Sequence, residues 1–257
     1  MKLTFLGTGT STGVPQIGCT CEVCSSTDQR EKRLRASVMV EIDPETTLLI
    51  DCGPDFREQM LRENSPKLTA LLVTHSHYDH VGGIDDLRPY CHPDPFPVYC
   101  QADVAKDLRE RLPYCFRKHL YPGVPTFDIH IIKPLEDFKI KNTIVTPLPI
   151  MHAKLPIVGF KIGNLAYITD CSEMPDATID IIRGIDTLVI NALRHKPHMS
   201  HMNLEQALEV IKKVKPRHAY LTHLSHDMGL MDETEKILPK NVNIATDCLS
   251  INIPQTD

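Results

Sequence analysis

The sequence predicts an α/β protein in which two β-sheets pack face to face with helices on the outside. Three observations predict it. Short apolar, β-branched runs recur along the chain in an early and a later meander, segments of helical pattern are interspersed among them, and no linker divides the 257 residues. A chain of this length can bury a substantial core, so residues 1–257 are read as one domain.

In chain order, residues 1–7 pass straight into a glycine-rich turn and lack the longer apolar core of an export signal. Segments 37–42 and 47–51 read as two strands of a hairpin about Asp43-Pro44, Asp51-Cys52-Gly53 ends the second, and 56–62 reads as a helix. Leu71-Leu72-Val73 is a short buried strand leading into a histidine-rich turn and then Gly82-Gly83. Between 85 and 135, prolines at 89, 93, 95, 97, 113, 122, 125 and 134 break the pattern around a helix at 102–112. The aromatic and basic side chains of that segment fit a substrate-facing lid, a dimer contact or simple packing. Strands at 127–132, 143–148, 158–162, 165–168, 187–191 and 218–221, with helices at 177–183 and 204–214, complete the reading.

Charge is ordinary: 28 basic and 33 acidic residues give a net charge of -5, which argues against a nucleic-acid partner. No apolar run approaches the roughly 18 residues that span a bilayer, so no membrane partner is expected. With no export signal the expected location is cytoplasmic. The nine cysteines are odd in number, which favours reduced thiols. Cys52, Cys91, Cys100, Cys115, Cys171 and Cys248 are scattered and read as small buried hydrophobes.

Chemistry concentrates in Thr74-His75-Ser76-His77-Tyr78-Asp79-His80. Side chains two apart on a backbone leaving a strand point the same way, so His75 and His77 can converge on one cation. Asp79 and His80 lie beyond, at the turn into a following helix, and cannot easily reach the same position. Four donors within six residues are too dense for one tetrahedral site with an open position, so a second adjacent metal is the economical reading. Asp51, at a strand end, fits either a hydrogen-bond partner for a metal-bound histidine or a cap.

These four residues match the HxHxDH signature and resemble the metallo-β-lactamase-fold hydrolases. The resemblance implies a four-layer αββα sandwich and a dinuclear site completed by a histidine after a later strand, a bridging aspartate and a last histidine. His152, Asp170 and His223 stand in that order, each after an apolar run. His77 sets the chain apart from the oxygen-reducing diiron relatives, which place a glutamate there.

Cys19, Cys21 and Cys24 form a second cluster, with thiolates at i, i+2 and i+5 suited to a tight knuckle over residues 18–24 around one structural zinc. His226, three residues beyond His223, is the candidate fourth ligand. It would pin the N-terminal loop to the site. The run from Leu6 to Pro15, followed by this cluster, resembles the opening of the PhnP-family phosphodiesterases, and the resemblance implies the same four ligands. Gly7, Gly9 and Gly13 lack the ending of a phosphate-binding P-loop and read as a wide turn near the metals.

The loop Leu193 to Asn203 carries His195, His198 and His201, and the residues alone do not choose among them as a proton donor. The family comparison places the catalytic histidine on His201. The expected assignment is His75, His77 and His152 to one metal and Asp79, His80 and His223 to the other, with Asp170 and a hydroxide bridging. Manganese, zinc or iron fit the donors, and catalysis rests on His201, Asp79 and Asp170. Cys171 has no activating base and is read as structural. The expected function is hydrolysis of a small or cyclic phosphodiester. A tRNA 3′-processing-type endoribonuclease, a thioester or lactam hydrolase and a non-catalytic metal-binding scaffold are the alternatives, and a homodimer is left open.

Overall fold

The computed structural model describes residues 1–255. Its first sheet contains β1 (Lys2–Gly7), β2 (Ser37–Asp43), β3 (Thr46–Ile50), β4 (Ala70–Leu72), β5 (Phe96–Cys100) and β6 (Phe127–Ile131). The second contains β7 (Phe138–Ile140), β8 (Thr143–His152), β9 (Leu155–Ile162), β10 (Leu165–Ile168), β11 (Thr187–Asn191), β12 (His218–Thr222) and β13 (Val242–Ile244). The last strand, β14 (Ser250–Asn252), returns to the edge of the first sheet beside β1. Each sheet therefore has seven strands, in the orders β14-β1-β2-β3-β4-β5-β6 and β13-β12-β11-β10-β9-β8-β7.

Both halves repeat one plan. Strands β1 to β3 pair antiparallel and β3 to β6 parallel; β8 to β10 pair antiparallel and β10 to β13 parallel. Among the described residues seven α-helices join them: α1 (Glu22–Ser25), α2 (Phe56–Arg62), α3 (Tyr78–Val81), α4 (Ala102–Arg111), α5 (Asp176–Ile181), α6 (Leu204–Val214) and α7 (Met231–Glu235). No helix among the described residues is long and apolar enough to cross a membrane.

Alternation along the strands builds three apolar layers. Leu48 and Ile50 of β3 point between the sheets, where they meet Val38, Val40, Phe160, Tyr167 and Val189. Leu49, between them, points the other way into a core with Phe56 and Met60 of α2 and Leu108 of α4. On the far face, Ile168, Leu188 and Ile190 pack against Ala207, Ile211 and Val214 of α6. Strands covered on both faces read as continuous apolar runs, and every residue of β10 and β11 is buried. The result is the four-layer αββα sandwich. Helix α6 buries residues at helical spacing and starts with a capping box, in which Asn203 accepts from Gln206 N and Gln206 caps Asn203 N in return.

The proline-rich segment is less irregular than its sequence suggests. It holds β5, α4 and β6, which complete the parallel half of the first sheet, while residues 118–123 lie exposed. Strand β8 also runs past the expected end at 148 as far as His152, through Pro147 and Pro149. Its pairing with β7 ends at Val145, so beyond that point one side of β8 is a sheet edge and a missing N–H breaks no ladder. Of the scattered cysteines five are buried, but Cys248 is exposed, contrary to its reading as a buried hydrophobe, because it sits in a tight turn before β14.

Candidate metal centre

The ends of β3, β4, β8, β10 and β12 meet at one rim. His75 and His77 follow β4, while Asp79 and His80 fall inside α3, whose first turn begins at Tyr78. His152 is the last residue of β8, Asp170 lies two residues after β10, and His223 directly follows β12. Donor atoms of His75, His77 and His152 lie within 4.8 Å of one another, as do those of Asp79, His80, Asp170 and His223. Asp170 faces both ways: Oδ2 is 3.1 Å from His80 Nε2, and Oδ1 is 3.2 Å from His223 Nε2.

Strained backbone makes this convergence. Asp51, Asp170 and His223 have φ of 62°, 55° and 55°, the left-handed region that non-glycine residues rarely occupy. Each turns the chain sharply at a strand end and swings its side chain toward the rim. Gly53 is needed for a different reason: a Cβ there would lie 2.1 Å from the carbonyl oxygen of Asp79, so only glycine lets the β3 turn approach α3.

Of the two readings of Asp51, the hydrogen-bonding one describes what the side chain does. It is fully buried and accepts from Thr74 N at 2.8 Å, from Thr74 Oγ1 at 2.8 Å and from His80 Nδ1 at 2.7 Å. Because Thr74 Oγ1 donates to Asp51, it accepts from His75 Nδ1 at 3.0 Å. His152 Nδ1 donates to the carbonyls of Asp170 and Ser200, at 2.9 and 2.8 Å. In all three rings Nδ1 carries a proton, which turns Nε2 into the cluster; burial would lower His80, but Asp170, Asp79 and Asp51 raise it well above the ordinary imidazole value, so a metal there would replace an Nε2 proton.

Those Nε2 atoms are the test of fit for a metal. His75 Nε2, His80 Nε2 and both nitrogens of His223 are buried with no hydrogen-bond partner. A buried polar atom left unbonded costs about 1–3 kcal/mol. Several such atoms facing carboxylates suit divalent cations, which would take every lone pair at once. Charge agrees. Burial by itself would raise Asp170, yet His223 and His80 beside it hold its carboxyl well below the usual range. Burial also keeps His75 far below the ordinary imidazole value, in the neutral form a metal binds.

His201 stands over this set, with ring centroids 4.9 Å from His223 and 4.7 Å from His152, and its Nδ1 lies 3.6 Å from Asp170 Oδ1. Burial, with His223 alongside, brings its pKa down to about 3. His198 is 5.2 Å from His201 in the next layer out, and His195 is not among the grouped donors.

The second cluster forms 3 residues past His223, where His226 Nδ1 lies 3.5 Å from Cys19 Sγ and 3.3 Å from Cys21 Sγ; Cys24 completes a group whose atoms all lie within 4.8 Å. The backbone N–H of Cys24, and then His226, lower the Cys21 thiol to about 6, whereas burial pushes Cys24 up to about 11. Thr10 N donates to Leu224 O and Leu224 N to Thr8 O, so the glycine-rich turn is stitched beside His223.

Residues 46–224 match the Beta-lactamase superfamily domain. The chain belongs to that superfamily, and its paired sheets are the metallo-β-lactamase fold. More narrowly, it is similar to a diphosphatase of the PhnP family, with 40% identity and a TM-score of 0.91 over 97% of this chain and 96% of that one. The octanoyltransferase of Porphyromonas gingivalis is 42% identical over 256 residues, which cover 99% of this chain but 52% of that protein, so this chain spans about half its length. The coenzyme PQQ synthesis protein B of Methylorubrum populi is 36% identical over 229 residues, 74% of this chain and 72% of that protein.

Proposed function

We propose that this protein is a dinuclear metal-dependent phosphodiesterase acting on small diesters of phosphorus, cyclic diesters and substituted diphosphates among them. The observation that carries the reading is two donor groups that adjoin at one rim, with Asp170 aimed toward both His80 and His223. The likeness to a PhnP-family diphosphatase supports chemistry at phosphorus.

His75, His77 and His152 would hold one cation and Asp79, His80 and His223 the other, with Asp170 shared. Nitrogen and oxygen donors suit zinc, manganese or iron. When bound, such a pair supplies Lewis-acid polarisation and an activated water at neutral pH. The protein's own part is orientation. Thr74 and Asp51 fix the rings of His75 and His80, the Asp170 and Ser200 carbonyls fix His152, and strand ends set the spacing. His201, with 11% of its side chain exposed and held neutral by burial, is the imidazole whose ring N–H is placed to hydrogen-bond a departing oxygen above the donors. At the knuckle three thiolates and one imidazole favour zinc.

Assay of the manganese- and zinc-loaded protein on bis(p-nitrophenyl) phosphate, cyclic nucleotides, a substituted diphosphate, a tRNA precursor and an acyl thioester tests the reading. Turnover of the small phosphorus substrates is expected, abolished in Asp170→Ala and reduced about 10²- to 10⁴-fold in His201→Ala. Cleavage of the tRNA precursor alone would contradict it. A second reading, hydrolysis of an acyl thioester, has one observation in its favour: the Porphyromonas relative, half of which this chain spans, is named for transfer of an acyl group. Thioester cleavage without phosphorus turnover would establish that reading instead.

A further inference from the structure

We infer that Asn191 is a positioning residue that aligns the shared aspartate and the backbone beside His201 together, by holding both backbone polar groups of a single residue, Cys171. Asn191 ends β11, is fully buried, and reaches across to the residue after Asp170. Its Oδ1 accepts from Cys171 N at 2.8 Å, and its Nδ2 donates to Cys171 O at 3.0 Å. A side-chain amide that satisfies both the backbone N–H and the backbone C=O of one buried residue holds the two peptide planes on either side of that residue.

Two site residues depend on those planes. Asp170 precedes Cys171 and sits at φ 55°, a conformation that persists only where the surroundings enforce it. The same Cys171 carbonyl also accepts from Met202 N at 2.7 Å, and Met202 follows His201 directly. Release of Cys171 from Asn191 would thus free the peptide that follows Asp170 and the carbonyl that holds the backbone next to His201 at once. The other half of the fold also ties the turn after a strand to the neighbouring strand's end, there through a carboxylate rather than through backbone. There Asp51, also left-handed, follows β3 and is held by Thr74, just beyond the end of the neighbouring parallel strand β4.

The inference rests on the proposed reading of Asp170 and His201, so its test separates the two. Asn191→Asp keeps the acceptor for Cys171 N and replaces the donor to Cys171 O with a repelling oxygen; Asn191→Leu removes both. Each is compared with the parent protein by thermal melting, by zinc titration of the chelated protein and by diester kinetics. Asn191→Asp is expected to fold, to bind the second zinc of the rim about 10- to 100-fold more weakly, and to lose kcat with little change in KM. Introduced into His201→Ala, it should cost less activity than it does alone. A folded variant with parent zinc affinity would overturn the inference, as would a kcat loss that simply multiplies with that of His201→Ala. A parent protein that takes up no zinc pair at the rim would overturn the reading of the site itself. If Asn191→Leu does not fold, Asn191→Asp alone decides.

Discussion

Asp51 shows how a side chain that need touch no metal governs those that do. It collects hydrogen bonds from Thr74 N, Thr74 Oγ1 and His80 Nδ1 in a site closed to water. Asn in its place offers one acceptor oxygen where the carboxylate offers two. Either Thr74 or His80 then loses its partner, and with Thr74 goes the tautomer of His75. Asp51→Asn is expected to weaken metal binding about 10- to 100-fold with little change in melting temperature of the chelated protein, read by competitive titration with a zinc dye. At this scale much was legible, because His75, His77, Asp79 and His80 stand together in the sequence as they do in space. Distant donors such as His152 came from resemblance. What no pattern reveals is the left-handed backbone at Asp51, Asp170 and His223, or the reach of Asn191, since both depend on neighbours remote in sequence.

Among the elements, the strands were legible where both faces are covered and less so at the edges. β10 and β11 read as continuous apolar runs because a helix layer and a second sheet enclose them. β5 hid behind prolines, and β8 seemed to stop at 148 although its free edge tolerates Pro147 and Pro149. Phe160 of β9 lies at the centre of the inter-sheet layer with Phe5, Val38 and Tyr167. Phe160→Ala should cost about 3–5 kcal/mol by denaturant unfolding, from lost burial and the cavity left behind. The knuckle is tested at the same scale. Cys21→Ser removes a thiolate from the group with Cys19, Cys24 and His226, so one zinc that resists mild chelation in the parent should be absent from the variant. Unchanged metal content in that variant would refute the knuckle.

For the whole molecule, the two halves share a plan and place their parallel strands so that C-terminal ends meet at the rim, where ligands gather from β4, β8, β10 and β12. The sandwich was legible from the alternation of runs, but the return of β14 to the first sheet was not, since three residues carry too little pattern. On the proposed reading, residues between 75 and 223 hold a pair of cations while a separate knuckle holds a third. A crystal structure of the metal-loaded protein, with anomalous data collected at the zinc and manganese edges, tests it most directly. Two peaks at the rim, both within coordination distance of Asp170, and one zinc peak among Cys19, Cys21, Cys24 and His226 are predicted. A single peak at the rim, or a pair that Asp170 does not join, would contradict it.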